Sequence, residues 1–358
     1  MGTGTRTGRA TGTEHGGIWG TCDEVDGLFG EADHETYELL GWVPEEPAAA
    51  DGWVGSRVWL VPEDEGLDPW LLSEAEALGP RSGTDCLVLS GVDGHEGPPG
   101  EYRGAVRVHD EHRWLGSCRG FDPVPPDRWV ASPIVLRGLA PSARLQRTLD
   151  AGTREAFELD QPALQIRDGQ GGGRLTDRLL WGRVRRWGPS SHGADLIDLE
   201  LDTELARPVP AYVRPVVERW LAGPPDTPGA WADLDTRQRG AWLDLVRERA
   251  RPDAGNDRPA GHTYVLDGRH VTDVPGLYLA LGEAVNGPGG YFGGCLAAVD
   301  DCLGGAFGHT APATLVWKDA ATARAHLSRA LTPDGEPYDL FAEVLDVLAG
   351  KRMRVCPA

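Results

Sequence analysis

The chain has 358 residues, and 55 acidic against 35 basic side chains give it a formal net charge of −20 at pH 7. Because one hydrophobic core rarely serves more than roughly 250–300 residues, this length predicts at least two domains. The charge argues against direct binding of nucleic acid and favours a basic protein as the partner.

The N-terminal two thirds of the chain are predicted to be rich in strands. Residues 1–14, dominated by Gly and Thr, are predicted to be a disordered tail. Residues 15–250 are predicted to form a β-rich domain of α+β class, as one body or two subdomains, with no function indicated. Its strands are expected at 36–43, 56–61, 85–92, 101–109, 128–139, 179–187 and 194–202. Helices at 210–223 and 235–250 follow, the second with an Asp N-cap.

A linker at 251–262 is predicted to lead into an α/β domain at 263–358. Strands are expected at 263–268, 313–317 and 351–356, and helices at 273–285, 292–303, 319–331 and 337–350. Asp273 and Asp319 are the expected N-caps of the first and third of these helices. The order β-α-α-β-α-α-β predicts a small, mostly parallel sheet covered by helices.

The segment "GGYFGGCLAAVDDCLGG" at 289–305 allows three interpretations: a phosphate-binding loop, a redox or metal site, and a recognition surface. A dinucleotide-binding loop needs a third glycine where Phe292 stands and a strand before it, whereas a helix is expected there. Cys295 and Cys302 lie two helical turns and roughly 10 Å apart, beyond the roughly 7 Å that a disulfide allows. Their spacing also suits a metal poorly, so both are predicted to be core residues.

A helix over 292–303 has one apolar side and one bare side. The apolar side is predicted to be core and comprises Phe292, Cys295, Leu296, Val299, Cys302 and Leu303. The bare side carries Gly294, Ala297, Ala298 and Asp301, with Asp300 at its edge. Small side chains on such a face let another surface approach closely. A helix face that is exposed to water and binds nothing can have the same composition, so both interpretations stay open. Residues 270–317 contain four acidic residues and no Lys or Arg, which favours recognition.

The segment "YFGGCLAAVDDCL" at 291–303 resembles the signature of the barstar family, intracellular protein inhibitors of the ribonuclease barnase. The family pattern has an aromatic pair, a Gly, an Asn-Leu-Asp-Ala core and an Asp-Cys-Leu ending. This chain keeps Tyr291, Phe292, Gly293, Leu296, Ala298, Asp301, Cys302 and Leu303. The segment "YVLDGRHVTDVPGLYLAL" resembles the family's first strand and helix, and "TLVWKD" resembles its second strand. The resemblance covers residues 263–358.

The resemblance implies a three-stranded parallel sheet with packed helices, in a protein that plugs the cationic active site of a ribonuclease. Asp301 would stand in for substrate phosphate, Tyr291 would lie at the loop end of the binding surface, and Glu343 would add an acidic contact. The chain departs from the family at Ala297, where the family has a carboxylate, and has Asp300 where the family usually has Trp and in some members Asp. The predicted partner-binding residues are Tyr291, Gly293, Gly294, Ala297, Asp300, Asp301 and Glu343.

The predicted function is therefore inhibition of a basic ribonuclease, either barnase-like or a related toxin. The alternative is a non-inhibitory interaction or immunity protein. In that alternative the N-terminal β-rich domain recognises another partner, and the barstar-like part serves as a scaffold.

Other motifs give no sign of an enzyme. No hydrolase, zinc or nucleotide-binding motif occurs, so we expect no catalytic residue, no metal and no cofactor. The histidines of "HDEH" at 109–112 are more simply explained as the solvated tip of a hairpin than as a metal site. The sequence has no run of about 18 apolar residues. Its six cysteines form no CxxC pair, so we expect a cytoplasmic protein without a membrane span.

Overall fold

A computed structural model of the chain describes residues 10–14, 17–30, 34–45, 51–64, 66–80, 85–93, 101–125, 133–152, 163–167, 174–205 and 209–358. The chain divides into two compact units. The first unit comprises Met1–Ala32, Val130–Pro228 and Asp244–Ala250, and the second comprises Asp33–Trp129, Gly229–Leu243 and Arg251–Ala358. The second unit contains residues from both sides of the linker predicted at 251–262. The predicted domain boundaries stay a prediction.

The elements follow in chain order. The strands are β1 (Ala10–Glu14), β2 (Gly17–Cys22), β3 (Glu24–Asp26), β4 (Phe29–Gly30), β5 (Glu35–Leu40), β6 (Val43–Pro44), β7 (Gly52–Pro62), β8 (Trp70–Pro80), β9 (Leu87–Asp93), β10 (Val106–His109), β11 (Trp114–Cys118), β12 (Gly120–Val124), β13 (Ile134–Pro141), β14 (Ala163–Arg167), β15 (Arg174–Pro189), β16 (Ile197–Leu205), β17 (Val209–Pro210), β18 (Thr263–Asp267), β19 (Ala313–Lys318), β20 (Ala330–Leu331), β21 (Pro337–Tyr338) and β22 (Met353–Pro357). The helices are α1 (Ala143–Asp150), α2 (Arg214–Ala222), α3 (Thr236–Arg249), α4 (Val274–Asn286), α5 (Leu296–Cys302), α6 (Ala320–Leu327) and α7 (Leu340–Gly350). Among the described helices, none is both long enough and apolar enough to cross a bilayer.

The first unit contains a seven-stranded antiparallel sheet in the order β16-β15-β14-β1-β2-β13-β3. Strand β13 also pairs with β16, so that six of these strands close into a ring. Helix α1 packs against β2 and β13. Ser142 begins this helix by accepting the backbone N–H of Leu145 at 3.3 Å, and Leu145 and Leu149 are the residues that α1 buries.

The predicted disordered tail is corrected at its end. Ala10–Glu14 is a strand that pairs with both β2 and β14. Ladder hydrogen bonds on both sides compensate for the weak strand propensity of Gly12, and Thr11 and Thr13 are β-branched residues that favour strands, so the Gly- and Thr-rich composition alone misled the prediction. Residues 1–9 lie outside the described residues.

The second unit contains an eight-stranded antiparallel sheet in the order β12-β5-β9-β8-β7-β10-β11-β6. Strand β5 continues into β6, and β11 continues into β12, after one or two residues. The two edge strands, β12 and β6, therefore belong to two bent segments, β11–β12 and β5–β6. These segments pair with each other, β12 with β5 and β11 with β6, so the sheet closes on itself. Apolar side chains fill its interior, and the rings of Tyr37 and Phe121 stack there with centroids 4.6 Å apart. This part of the chain is β-rich, as predicted.

The same unit contains the predicted α/β domain at the C-terminus. Strands β18, β19 and β22 form a three-stranded parallel sheet in that order. Leu266, Leu315 and Trp317 are fully buried on one face of this sheet. The element order β-α-α-β-α-α-β is confirmed, with the short hairpin β20–β21 added between α6 and α7.

The two predicted helix caps in this domain have different outcomes. Asp273 is the N-cap of α4, and its Oδ1 accepts the backbone N–H of Gly276 at 2.7 Å. Asp319 precedes α6, but its φ of 51° is left-handed and its side chain makes no capping hydrogen bond. Asp319 therefore occupies the predicted N-cap position of α6, but it does not cap the helix with its side chain.

Candidate functional site

Helix α5 begins at Leu296 rather than at the predicted residue 292, because a glycine turn precedes it. Gly293 has a φ of +95°, and a Cβ there would lie 2.7 Å from the backbone nitrogen of Val299. Only glycine tolerates both conditions, so Gly293 turns the chain sharply into the helix. Phe292, predicted on the helix, lies in the preceding loop and is nevertheless fully buried.

The two cysteines of this segment differ, which corrects the prediction that both are core. Cys295 is the N-cap of α5 and is exposed. Cys302 is buried in the last turn, and burial, together with the charge of Asp301, raises the pKa of its thiol to about 11. Cys302 is therefore protonated at neutral pH and packs as a small apolar side chain.

The two neighbouring aspartates of α5 also differ. Asp300 Oδ2 lies 2.9 Å from Lys351 Nζ, in an ion pair whose side chains are 47% and 40% exposed. Asp301 is exposed, as is Ala297 one turn earlier, and Asp301 has no salt-bridge partner among the described residues. Of the two aspartates, Asp301 alone keeps an unneutralised carboxylate.

The other predicted site residues surround α5. The half-buried ring of Tyr291 packs against Phe307, with centroids 6.2 Å apart. A Cβ at Gly294 would find its nearest neighbour, Cδ2 of Leu243, at 3.9 Å, so the chain has room there. Glu343 is exposed in the first turn of α7, the helix against which α5 packs. The structure thus places Glu343 on a helix that contacts α5.

Two side chains that the sequence analysis missed hold the loops on either side of α5. Asn286 Nδ2 donates to the carbonyl oxygen of Tyr291 at 2.7 Å and to that of Phe307 at 3.0 Å. Asp257 accepts backbone N–H groups from the loop after α5. Asn286 directly follows the predicted helix at 273–285 and Asp257 lies in a predicted linker, so neither stood in a motif.

His309 is completely buried behind this site. Its ring lies beside those of Tyr264 and Phe292, with centroids 5.9 and 6.1 Å away. Neither ring nitrogen has a hydrogen-bond partner among the residues described. Burial lowers the pKa of His309, although the charge of Asp257 acts in the opposite direction. His309 is therefore neutral at pH 7.

The "HDEH" segment forms the tip of the β10–β11 hairpin, but the tip is only partly solvated. His112 is exposed, whereas His109 is completely buried. His109 Nδ1 accepts the backbone N–H of Glu111 at 3.2 Å, which leaves Nε2 to donate to the carbonyl oxygen of Pro333 at 3.0 Å. Burial lowers the pKa of His109. The predicted solvated tip is thus wrong for His109, since this histidine joins the hairpin to the loop between β20 and β21.

Comparison with known proteins assigns the segment that carries this site. Residues 261–349 match the family model described as Barstar (barnase inhibitor). Residues 261–349 are a Barstar domain. The domain includes every predicted partner-binding residue, from Tyr291 to Glu343, and its family is one of inhibitors rather than of catalysts. Neither a search of curated proteins nor a search of solved structures gave a match.

Proposed function

We propose that this chain inhibits a basic, barnase-type ribonuclease by covering its active site with α5 and the loop before it. One observation carries the proposal: a Barstar domain presents the exposed, unneutralised carboxylate of Asp301 on α5. A carboxylate forms charge-assisted hydrogen bonds with Arg, Lys and His, the side chains that bind phosphate. Asp301 therefore takes the place of a phosphate of RNA.

The net charge of the chain supports a cationic partner. The chain has a formal net charge of −20 at pH 7, although two of the four acidic residues in 270–317 are paired within the protein, Asp273 with Arg239 and Asp300 with Lys351. A field of one sign steers an oppositely charged partner and raises the association rate, and salt screens that effect. Binding should therefore be fast at low salt and slower at high salt.

The shape of the exposed side supports close approach. Ala297 and Asp301 lie one turn apart on α5 and are both exposed, and Gly294 leaves room in the loop before the helix. Small side chains allow a partner's surface to reach the helix backbone. The same small side chain at Ala297 removes a carboxylate that the family pattern has, so the contact depends more heavily on Asp301.

The test is a titration of the full chain into active barnase, with heat and the rate of RNA cleavage measured in the same samples. We expect one-to-one binding, loss of cleavage in proportion to occupancy, and weaker binding as salt is raised. An unrelated protein of similar net charge is the control for unspecific attraction. Absence of both heat and inhibition would contradict the proposal for barnase.

A second candidate is a non-inhibitory interaction protein in which the Barstar domain is a scaffold. Two observations favour it: Ala297 lacks the family carboxylate, and Lys351 neutralises Asp300. Both reduce the free negative charge on α5. The same titration separates the candidates, because heat without loss of RNA cleavage would support the second one.

A further inference from the structure

The carboxylate of Asp257 is surrounded by the backbone of the loop that follows α5. Its Oδ2 accepts the N–H of Ala306 at 2.8 Å, and its Oδ1 accepts the N–H groups of Gly308 at 2.8 Å and His309 at 3.2 Å. Asp257 is half-buried, and its neighbours in the segment 251–256 are exposed. An ionised carboxylate that accepts several backbone N–H groups forms stronger hydrogen bonds than a neutral acceptor would.

The loop that Asp257 holds has an unfavourable backbone conformation. Ala306 has a φ of +65°, a left-handed conformation that an L-residue with a Cβ rarely adopts. Ala306 is fixed on both sides, because its carbonyl oxygen also accepts the N–H of Asp253 at 2.7 Å. Residues in such conformations persist where the surrounding structure holds them, and here the segment 253–257 does so.

This loop is continuous with the end of α5 that carries Asp301. The N–H of Gly304 donates to the carbonyl oxygen of Asp301 at 2.9 Å. Asn286 then connects the loop to the one before α5, through Phe307 and Tyr291. The loop after α5 is thus hydrogen-bonded both to the end of the helix and, through Asn286, to the loop before it.

We infer that Asp257 is a positioning residue for the partner-binding surface, although it precedes the Barstar domain at 261–349. Its carboxylate holds the loop after α5 in one conformation, and that loop holds the end of the helix that presents Asp301. This inference adds a residue to the proposed function and rests on it, because the binding test uses barnase. The anchoring of the loop by Asp257, in contrast, is measured without any partner. The functional surface of this chain thus requires residues that the family signature does not contain.

The anchoring step is tested by amide hydrogen exchange on the full chain. Asp257→Ala removes all three acceptor contacts and should reduce protection of the N–H groups of Ala306, Gly308 and His309 roughly 10- to 100-fold. Asp257→Asn keeps one acceptor oxygen and should have a smaller effect. Asp253→Asn is the matched control, because among the described residues the Asp253 carboxylate bonds only within its own turn, to Gly255 and Asn256. Unchanged protection in Asp257→Ala would overturn the inference.

The positioning role is tested by binding of the same variants to barnase, with and without Ala306→Gly. Asp257→Ala should weaken binding at least tenfold, and adding Ala306→Gly should restore part of the loss, because glycine adopts the left-handed conformation without a Cβ penalty. Ala306→Gly in the otherwise unchanged chain is the control, because there the loop is already anchored and the glycine should leave the affinity unchanged. Lost protection with unchanged affinity would overturn the positioning role. If the wild-type chain does not bind barnase, the proposed function fails for barnase, and amide protection alone decides the anchoring step.

Discussion

Two aspartates of the C-terminal domain, one at the start of α4 and one near the end of α5, are used in opposite ways. Asp273 is buried, and its carboxylate accepts from Gly276 N, from Thr236 Oγ1 at 2.9 Å and from Arg239 Nη1 at 2.9 Å. Asp301 is exposed and has no salt-bridge partner among the described residues. A carboxylate whose partners are all inside the protein stabilises the fold, whereas one without partners is available to another molecule.

The largest predicted effect is on stability, at the buried pair. Arg239→Ala leaves Asp273 buried without its counter-ion, and losses of this kind cost about 3–5 kcal/mol. Arg239 also donates to the carbonyl oxygen of Ala232 at 2.6 Å, which adds to the loss. The free energy of unfolding in urea is the measurement. Arg247→Ala in the same helix is the control, since its pair with Asp244 is exposed and the change should cost less than about 1 kcal/mol. Similar losses in both variants would remove the distinction between buried and exposed charge.

The next effect concerns the turn into α5. Gly293→Ala places a Cβ against Val299 at a positive φ, and we expect a loss of about 1–3 kcal/mol together with weaker ribonuclease inhibition. Gly294→Ala is the matched control, because its Cβ has open space and the unfolding free energy should change by less than about 0.5 kcal/mol. Thermal unfolding of both variants measures the difference. An equal effect at the two glycines would contradict the account of how the turn is built.

A smaller effect is predicted from pH. His109 and His309 have pKa values lowered by burial from the ordinary value of 6.5. The unfolded chain therefore takes up more protons than the folded chain as the pH falls below about 6.5, and the free energy of unfolding decreases in that range. The loss is at most about 1.4 kcal/mol per pH unit for each histidine. Calorimetric unfolding between about pH 5 and 7.5 measures it.

Variants of these histidines separate the buried groups from the exposed one. His309→Phe removes a histidine that stays neutral in its apolar site but takes up a proton on unfolding, so it should flatten the pH dependence of stability. The exposed His112→Gln should leave that dependence unchanged. An unaltered slope in His309→Phe would mean that His309 does not contribute.

The smallest effect is predicted at the exposed ion pair. Lys351→Ala should change stability by no more than about 1 kcal/mol, because both side chains of the Asp300 pair are partly solvated. It also frees Asp300 and makes α5 more acidic, so association with a basic ribonuclease should become faster at low salt. Lys318→Ala changes the net charge equally and is exposed at the end of β19, so it is the control for association rates. Equal acceleration in both variants would show that only net charge matters.

Local signals in the sequence predicted part of this architecture. The cap at Asp273 and the order of strands and helices in residues 263–358 follow from short-range patterns, and both are confirmed. Arg239, which completes the Asp273 site, lies 34 residues away, and no spacing rule connects the two. Strand β8 was missed because its buried positions include Ala75 and Ala77 and its intermediate ones include Glu74 and Glu76, residues that favour helices.

The candidate site was predicted in part for a similar reason. The resemblance indicated Asp301 and its neighbours, since they stand in one contiguous signature. It did not indicate that Cys295 is exposed, because that depends on the positive φ of Gly293 just before it. The role of Asp257 depends on tertiary contact with a loop about fifty residues later, within a segment whose composition is that of a linker.

The central claim is that Asp301, and not its neighbour, replaces substrate phosphate. The direct test compares Asp301→Ala with Asp300→Ala in titrations of the full chain against barnase. Truncating one partner of a buried interfacial charge pair costs about 2–5 kcal/mol, a range that the barnase–barstar complex helped to establish, so Asp301→Ala should raise Kd roughly 30-fold or more. Asp300→Ala removes only a surface ion pair and should change Kd less than about fivefold. An equal loss in the two variants, or a loss in Asp300→Ala alone, would contradict the account.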